Sequence, residues 1–140
     1  MSNLRIILDT NVILSSLSFR SKYRHIIDEL MNGTYDIFVT TEILLEYEEK
    51  INQFFAPSTA QLFLDALGLM PNVHKIAVFY KFLLVTKDAD DDKFADCAVA
   101  AGVHYLVTDD KHFNTLVKLG FPKINLINIK DFSDFLQNKV

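Results

Sequence analysis

Apolar and polar residues fall along this chain in blocks, and the period within the blocks changes from strand-like to helical and back. Leu4-Arg5-Ile6-Ile7-Leu8 is a short β-favourable run that stops abruptly at Asp9-Thr10-Asn11. A buried run giving way to small polar residues reads as a parallel strand whose carboxyl end opens into a loop. Val12 to Leu17 and Lys22 to Met31 come next as helices. In the second, Ile26, Ile27, Leu30 and Met31 return at helical spacing until Asn32-Gly33 ends the pattern. Ile37-Phe38-Val39 is a second strand, and Thr40-Thr41 caps the next helix. From Glu42 to Phe55 the apolar positions Ile43, Leu44, Tyr47, Ile51 and Phe54 recur at three- and four-residue steps, an amphipathic helix. Pro57-Ser58 breaks it, and Thr59 to Leu67 begins another.

The second half repeats the alternation. Ile76 to Val85 is a strand candidate, and Lys87 to Asp92 an acidic loop leading into a helix from about Asp91 to Ala101 with Gly102 at its end. Tyr105-Leu106-Val107 is a strand stopped by Thr108-Asp109-Asp110. A helix from His112 to Leu119 ends at Gly120, before Pro122. Ile124 to Ile127 is a further strand and Lys130 to Gln137 a closing helix. Strands alternating with helices predict a central, mainly parallel sheet covered on both faces, a three-layer α/β/α sandwich. No repeat, low-complexity tract or linker divides it, so residues 1–140 read as a single domain.

Composition narrows the picture. With 50% hydrophobic and 23% charged residues, disorder is excluded. Four Gly and three Pro leave little room for a turn-dense all-β sandwich. A single cysteine, Cys97, excludes an intrachain disulfide framework and a Cys-based zinc cage, and suits a reducing compartment. The longest nearly apolar stretch, Ile76 to Val85, carries Lys81 and falls short of the roughly 20 residues a membrane helix needs. Asp9 interrupts the early apolar run and no small-residue cleavage site comes after it, which argues against a signal peptide. The expectation is a soluble, cytoplasmic protein with no membrane attachment. The formal net charge of −4 counts mildly against a dedicated duplex-DNA binder but not against a nucleic-acid enzyme.

The placement of the carboxylates carries the chemistry. In open parallel sheets, ligands bind beyond the carboxyl ends of the strands. Two predicted strands end in acid, at Leu8-Asp9 and at Val107-Thr108-Asp109-Asp110, and a third cluster, Asp88-Ala89-Asp90-Asp91-Asp92, stands at a helix start. Acids at a helix N-terminus also cap orphan amides and offset the macrodipole, which explains Asp88, Asp90 and Asp92 about as well singly. Asp9 is different: it comes directly after an apolar strand, where an unpaired carboxylate is costly unless it meets a cation. Acids converging on one sheet edge repel one another, and raised pKa values or a divalent ion resolve that. Mg²⁺ and Mn²⁺ favour such hard oxygen ligands.

Ile7-Leu8-Asp9-Thr10-Asn11-Val12, then Glu46 in Leu44-Leu45-Glu46-Tyr47, then Asp91-Asp92-Lys93-Phe94 with Ala98 and Gly102, then Leu106-Val107-Thr108-Asp109-Asp110 together resemble the PIN-domain nucleases. The closest branch is the small single-domain bacterial proteins described as toxins of toxin–antitoxin pairs. The match runs from Arg5 to about Ile129. Each motif alone is weak, but their order on these elements is specific. The resemblance implies a PIN-like fold, cleavage of single-stranded RNA with Mg²⁺ or Mn²⁺ and, together with exposed apolar helices, a homodimer, and it allows for an antitoxin partner. Carried over by position, the metal-holding acids are Asp9, Glu46, Asp91 and Asp110, with Asn11 orienting Asp9 or its waters and Thr108 supporting the ligands. For the third acid the choice is Asp91 or Asp92. Aligning Phe94, Ala98 and Gly102 favours Asp91, which at about 100° per residue also lies beside the stripe of Phe94, Ala98 and Ala101. Asp92 and Asp96 share the opposite face and read as a solvated pair, with Asp96 kept as an outer ligand because many relatives carry an acid there. The family pattern of Thr, any residue, Asp selects Asp110 over Asp109, while a capping role stays open for both.

The remaining polar residues are less specific. Glu46 stands among Glu42, Glu48 and Glu49, where exposed glutamates are ordinary, yet its helix angle puts it near Tyr47 and Ile43 at the border of the core. Arg20, Lys22, Arg24 and His25 form the one basic cluster, read equally well as a solvated face or as contacts to RNA phosphates. Lys93 and Lys111 adjoin proposed ligands and suit phosphate steering. Tyr23 and Phe19 are candidates for base stacking, with core packing the plainer reading. Cys97 reads as a small buried hydrophobe. A haloacid-dehalogenase-like phosphatase would need an Asp where Asn11 stands, a response-regulator receiver would need an acidic pair and a late Lys that are not evident, and no Gly-rich nucleotide loop is present. The non-enzymatic rival is a catalytically silent PIN-like module that binds protein or RNA; four intact acids argue against it.

Overall fold

A computed structural model describes residues 3–79, 89–114 and 123–139, with the backbone alone at 89–91 and 139. The elements run in the order β1 (Arg5–Leu8), α1 (Thr10–Ser16), α2 (Arg24–Met31), β2 (Asp36–Val39), α3 (Thr41–Phe54), α4 (Pro57–Leu69), β3 (Val73–Lys75), α5 (Ala89–Ala101), β4 (Tyr105–Val107), β5 (Leu126–Ile127) and α6 (Ile129–Lys139). Among the described residues the strands form one five-stranded sheet in the order β3-β2-β1-β4-β5. All four pairings are parallel, with Ile6 opposite Ile37 on one side and Tyr105 on the other. Ile6, Ile7 and Leu8 are consecutive and each fully buried, so β1 is covered on both faces, as a parallel sheet requires. The architecture is an α/β/α sandwich. Helix α5 packs across β1, β2 and β4, and the α3–α4 hairpin is tied to α1 and α5 through α3.

Topology positions the site. The chain steps from β1 to β2 to β3 in one direction, then returns to place β4 on the other side of β1. The crevice at such a reversal, beyond the carboxyl ends of β1 and β4, is where open α/β sheets bind ligands. Local sequence enforces the geometry: the Thr40 side chain accepts from the Ile43 amide at 3.2 Å and starts α3. At the far end of α5, Gly102 takes φ 59°, a left-handed turn that lets the chain re-enter the sheet.

Three expectations are corrected. The predicted strand Ile76 to Val85 is displaced: β3 is Val73–Lys75, residues 76–79 are not in a strand, and the rest lies outside the described residues. Pro57 does not merely break a helix; it opens α4 at the first helical position, where its missing N–H costs nothing. The helix expected from His112 begins instead as a single 3₁₀ turn, Lys111–Phe113, and its continuation past Asn114 lies outside the described residues.

Candidate active site

Asp9 ends β1 and begins α1. Its backbone N–H donates to the Val107 carbonyl at 3.0 Å, and its own carbonyl accepts from Val12 and Ile13, so the main chain is fixed on both sides. The side chain does not cap α1. It is held instead by Thr108, whose hydroxyl donates to Asp9 Oδ2 at 2.7 Å and accepts from the Asp110 amide at 3.0 Å. Only 4% of Asp9 is exposed. Burial pushes its pKa up to about 6 against the hydrogen bonds of Thr108 and the Thr10 amide, and the charges of Asp110 and Glu46 push the same way as burial. Asp9 thus lies in electrostatic reach of both Asp110 and Glu46 at the β1–β4 crevice.

Glu46 arrives from α3 by way of its neighbour. Tyr47 is fully buried, and its hydroxyl donates to the Leu8 carbonyl at 2.5 Å. That bond docks α3 on the residue preceding Asp9 and turns the next side chain, Glu46, toward the crevice. The two carboxylate oxygens of Glu46 are engaged separately. Thr10 donates its hydroxyl to Oε2, and the Lys93 ammonium lies 2.7 Å from Oε1. The clasping roles of Thr10 and Tyr47 and the Lys93 pairing are not among the sequence expectations; Thr10, sitting between Asp9 and Asn11 at a strand end, carries the only local signal.

Asp110 performs two tasks. Its Oδ1 accepts from the His112 amide at 2.9 Å, capping the 3₁₀ turn, while its charge acts on Asp9. Asp109 faces elsewhere: it is exposed, and its Oδ1 accepts from the Ile129 amide at 2.9 Å, at the start of α6. Both therefore cap. Asn11 is exposed and lies with Leu14, Ser15, Phe54 and Phe55 around a shallow depression; among the described residues no hydrogen bond joins it to Asp9.

Helix α5 overturns one expectation. Asp92 and Asp96 are not a solvated pair: they are 8% and 4% exposed, and Phe94, Ala95, Cys97 and Ala98 are buried beside them. They share a polar face of the helix, but that face is covered and not solvated. Asp96 lines a pocket of about 380 Å³ together with Lys93, Thr40, Thr41 and Lys75. The side chain of Asp91 lies outside the described residues. Cys97 is buried and its thiol is pushed up to about 12 by that burial, with the Asp96 charge adding to it, which makes it a poor nucleophile.

The basic cluster does not act as one patch. Arg24 is held inward, with Nε 3.1 Å from Asp28 Oδ1, Nη1 donating to the Leu17 carbonyl at 2.5 Å and its guanidinium 4.1 Å over the Phe19 ring. His25 contacts Ser133 on α6. Arg20, Lys22 and Lys111 are exposed.

The acids suit a hard divalent cation. The donors at the crevice are carboxylate and hydroxyl oxygens, and the buried Asp9 charge faces two further negative charges that a cation would offset. As they stand, no group of three or more described His, Cys, Asp or Glu side chains is gathered closely enough to hold an ion unaided. Asp9 and Asp110 share Thr108 as a strut, whereas Glu46 is tied to Lys93.

Comparison with known proteins agrees with this geometry. The fold is similar to that of VapBC2 from Rickettsia felis, crystallised with a DNA fragment from its promoter, at TM-score 0.61 and 20% identity, covering 89% of this chain and 98% of that one. It is similar to FitAcB from Neisseria gonorrhoeae at TM-score 0.56 and 15% identity, over 89% and 98% of the two chains. The PIN domain endonuclease Utp24 matches at TM-score 0.54 and 16% identity, over 89% and 84%. No protein of curated function matches in sequence. The PIN domain family model matches residues 5–112, which span every acid discussed above. The chain belongs to the PIN-domain family.

Proposed function

We propose that this protein is a divalent-metal-dependent endoribonuclease that cleaves single-stranded RNA, and that it is the toxin of a toxin–antitoxin pair. The observation that carries the reading is the state of Asp9, a buried carboxylate facing Asp110 and Glu46 at the topological reversal of a parallel sheet. A residue serving only the fold would gain from neutral or cationic neighbours there. The likeness to an endonuclease of the same fold and to the small VapBC2 and FitAcB chains supports the nuclease and its compact extent.

Asp9, Asp110 and an acid of α5 would hold Mg²⁺ or Mn²⁺, with Glu46 bordering the site. When bound, such an ion supplies Lewis-acid activation of water and braces the phosphodiester for in-line attack. The chain's own residues set the stage. Thr108 holds one Asp9 oxygen and fixes the loop that carries Asp110. Thr10 and Lys93 hold Glu46 in one orientation. Lys111, exposed beside Asp110, and Arg20 and Lys22, exposed beyond α1, attract the phosphate backbone.

An antitoxin and a second copy of the chain belong to the same reading. Leu45, Phe54, Leu62 and Leu69 on the α3–α4 hairpin expose 58–86% of their surface, an apolar face for such contacts. A chain that stays monomeric in light scattering at high concentration would remove the homodimer. The decisive assay is cleavage of a labelled single-stranded RNA with Mn²⁺ or Mg²⁺, with EDTA, and with Asp9→Asn. Cutting that needs metal and is lost in the variant is expected. Cutting that survives EDTA or Asp9→Asn would refute the site. A folded protein that binds no Mn²⁺ and cuts no RNA would be a silent binding module.

A further inference from the structure

Glu46 stands where the family resemblance calls for a metal ligand, yet a cation is already there. The Lys93 ammonium lies 2.7 Å from Oε1, and the two side chains are only 14% and 15% exposed. The second oxygen, Oε2, accepts from the Thr10 hydroxyl, and Thr10 is itself buried at 3% exposure. Each oxygen of Glu46 thus has a partner of its own. Around Asp9 and Asp110, by contrast, the one basic side chain at ion-pair distance among the described residues is the imidazole of His112, 3.5 Å from Asp110. Along the crevice the compensation is uneven: a fixed positive charge on the Glu46 side, and mutual repulsion on the Asp9 side.

Resting on the metal-nuclease reading above, we infer that Lys93 takes the place of a second metal ion: the centre binds one divalent ion, on the Asp9–Asp110 side, and the ammonium of Lys93 is the permanent cation on the Glu46 side. Divalent ions of this class approach carboxylate oxygen to about 2.0–2.1 Å. An ion drawn to Glu46 would therefore meet the ammonium at a distance where two positive charges repel strongly in a poorly solvated site. Moving Lys93 aside carries a cost. It is only 14% exposed, and its charge would lose its carboxylate. Lys93 is in this sense a positioning residue. It orients Glu46 and supplies charge that does not depend on the metal concentration.

The inference is tested on the full chain by counting Mn²⁺ ions, with isothermal titration for stoichiometry and electron paramagnetic resonance for spin-coupled pairs. The native protein is expected to bind one Mn²⁺ with an uncoupled six-line spectrum. Lys93→Met, which keeps the stem and removes the charge, is expected to free Glu46, raise the stoichiometry to two and produce a coupled-pair signal. Lys93→Arg is expected to restore one ion. Two ions on the native chain would overturn the inference without reference to any variant, and so would a folded Lys93→Met protein that still binds one. Either result would leave the metal-nuclease reading standing. A native chain that binds no Mn²⁺ would instead overturn that reading, and the role of Lys93 with it.

Discussion

The two ends of the sheet treat an aspartate in opposite ways. At the amino-terminal edge, Asp36 opens β2 beside donors: Asn3 Nδ2 and His74 Nε2 lie 2.9 and 2.8 Å from its oxygens. Partial burial pushes its pKa up, but the hydrogen bonds of Asn3 and His74 and the charges of His74 and Arg5 outweigh that and hold it below the usual carboxylate range. At the carboxyl-terminal edge, burial pushes Asp9 up to about 6, and the charges of Asp110 and Glu46 push the same way. The same residue type is matched at one edge and mismatched at the other. A mismatch of this kind is costly to folding, and it marks the edge at which an external cation is needed.

Asp9→Asn is the substitution with the largest expected consequence. Cleavage should fall by more than the roughly 10–100-fold typical of losing an outer hydrogen-bond partner of a metal ligand. The metal-free protein should not be destabilised, because the change removes an uncompensated charge at nearly constant volume. A variant that unfolds in EDTA more easily than the native chain would show that Asp9 stabilises the fold as Asp36 does, and would dissolve the contrast.

The opposite pKa shifts give opposite pH dependences. For Asp9 the folded-state value of about 6 lies above the ordinary value of 3.8, so its contribution is full below about 4 and is lost as pH rises through 6. In EDTA, the stability difference between native protein and Asp9→Asn should therefore change by up to about 3 kcal/mol between pH 4 and pH 7.5, to the native chain's disadvantage. For Asp36, whose value is lowered, stability is present above about 4 and is lost as pH falls below that. Denaturant titrations across pH 3 to 8 check both. A flat difference for Asp9 would mean that its carboxylate is already compensated.

How much of this contrast is legible in the sequence depends on the element. The Asp9 end of β1 announces itself, because an apolar strand stopping at a carboxylate is a local pattern. The same holds for Thr108 and Asp110 after β4, and for α3, whose apolar positions place Tyr47 inward and Glu46 at the border. Helix α5 defeats the pattern for a physical reason. Amphipathic periodicity assumes that the polar face is wet, but on α5 the polar face is covered too, so the pattern assigns Asp92 and Asp96 to solvent that is not there. Strand β3 escapes it because Val73-His74-Lys75 lies at the sheet edge, where pairing needs backbone rather than an apolar run, and the longer run from Ile76 carries the stronger strand signal. The Lys93–Glu46 pair joins residues on two helices far apart in sequence, and only the fold brings them together.

Two smaller effects sharpen the comparison. Thr108→Val removes the hydroxyl that holds Asp9 and receives the Asp110 amide, and should weaken Mn²⁺ binding and cleavage by about 10–100-fold without moving the pH dependence of the amino-terminal edge. Unchanged Mn²⁺ affinity would mean that Thr108 serves the turn alone. Asp36→Asn should leave cleavage unchanged and cost less than about 1 kcal/mol, since its partners are partly exposed to solvent. A loss of activity there would show that the two edges are coupled.

The most direct test of the mismatch at Asp9 is denaturant unfolding at pH 7.5 with saturating Mn²⁺ and with EDTA, for the native chain and for Asp9→Asn. A ligand that binds only the folded state raises its stability. Mn²⁺ should raise the native midpoint well above the EDTA value and leave that of Asp9→Asn almost where it was. Equal shifts in both proteins, or none in either, would contradict the assignment of the carboxyl-terminal edge as a metal site centred on Asp9.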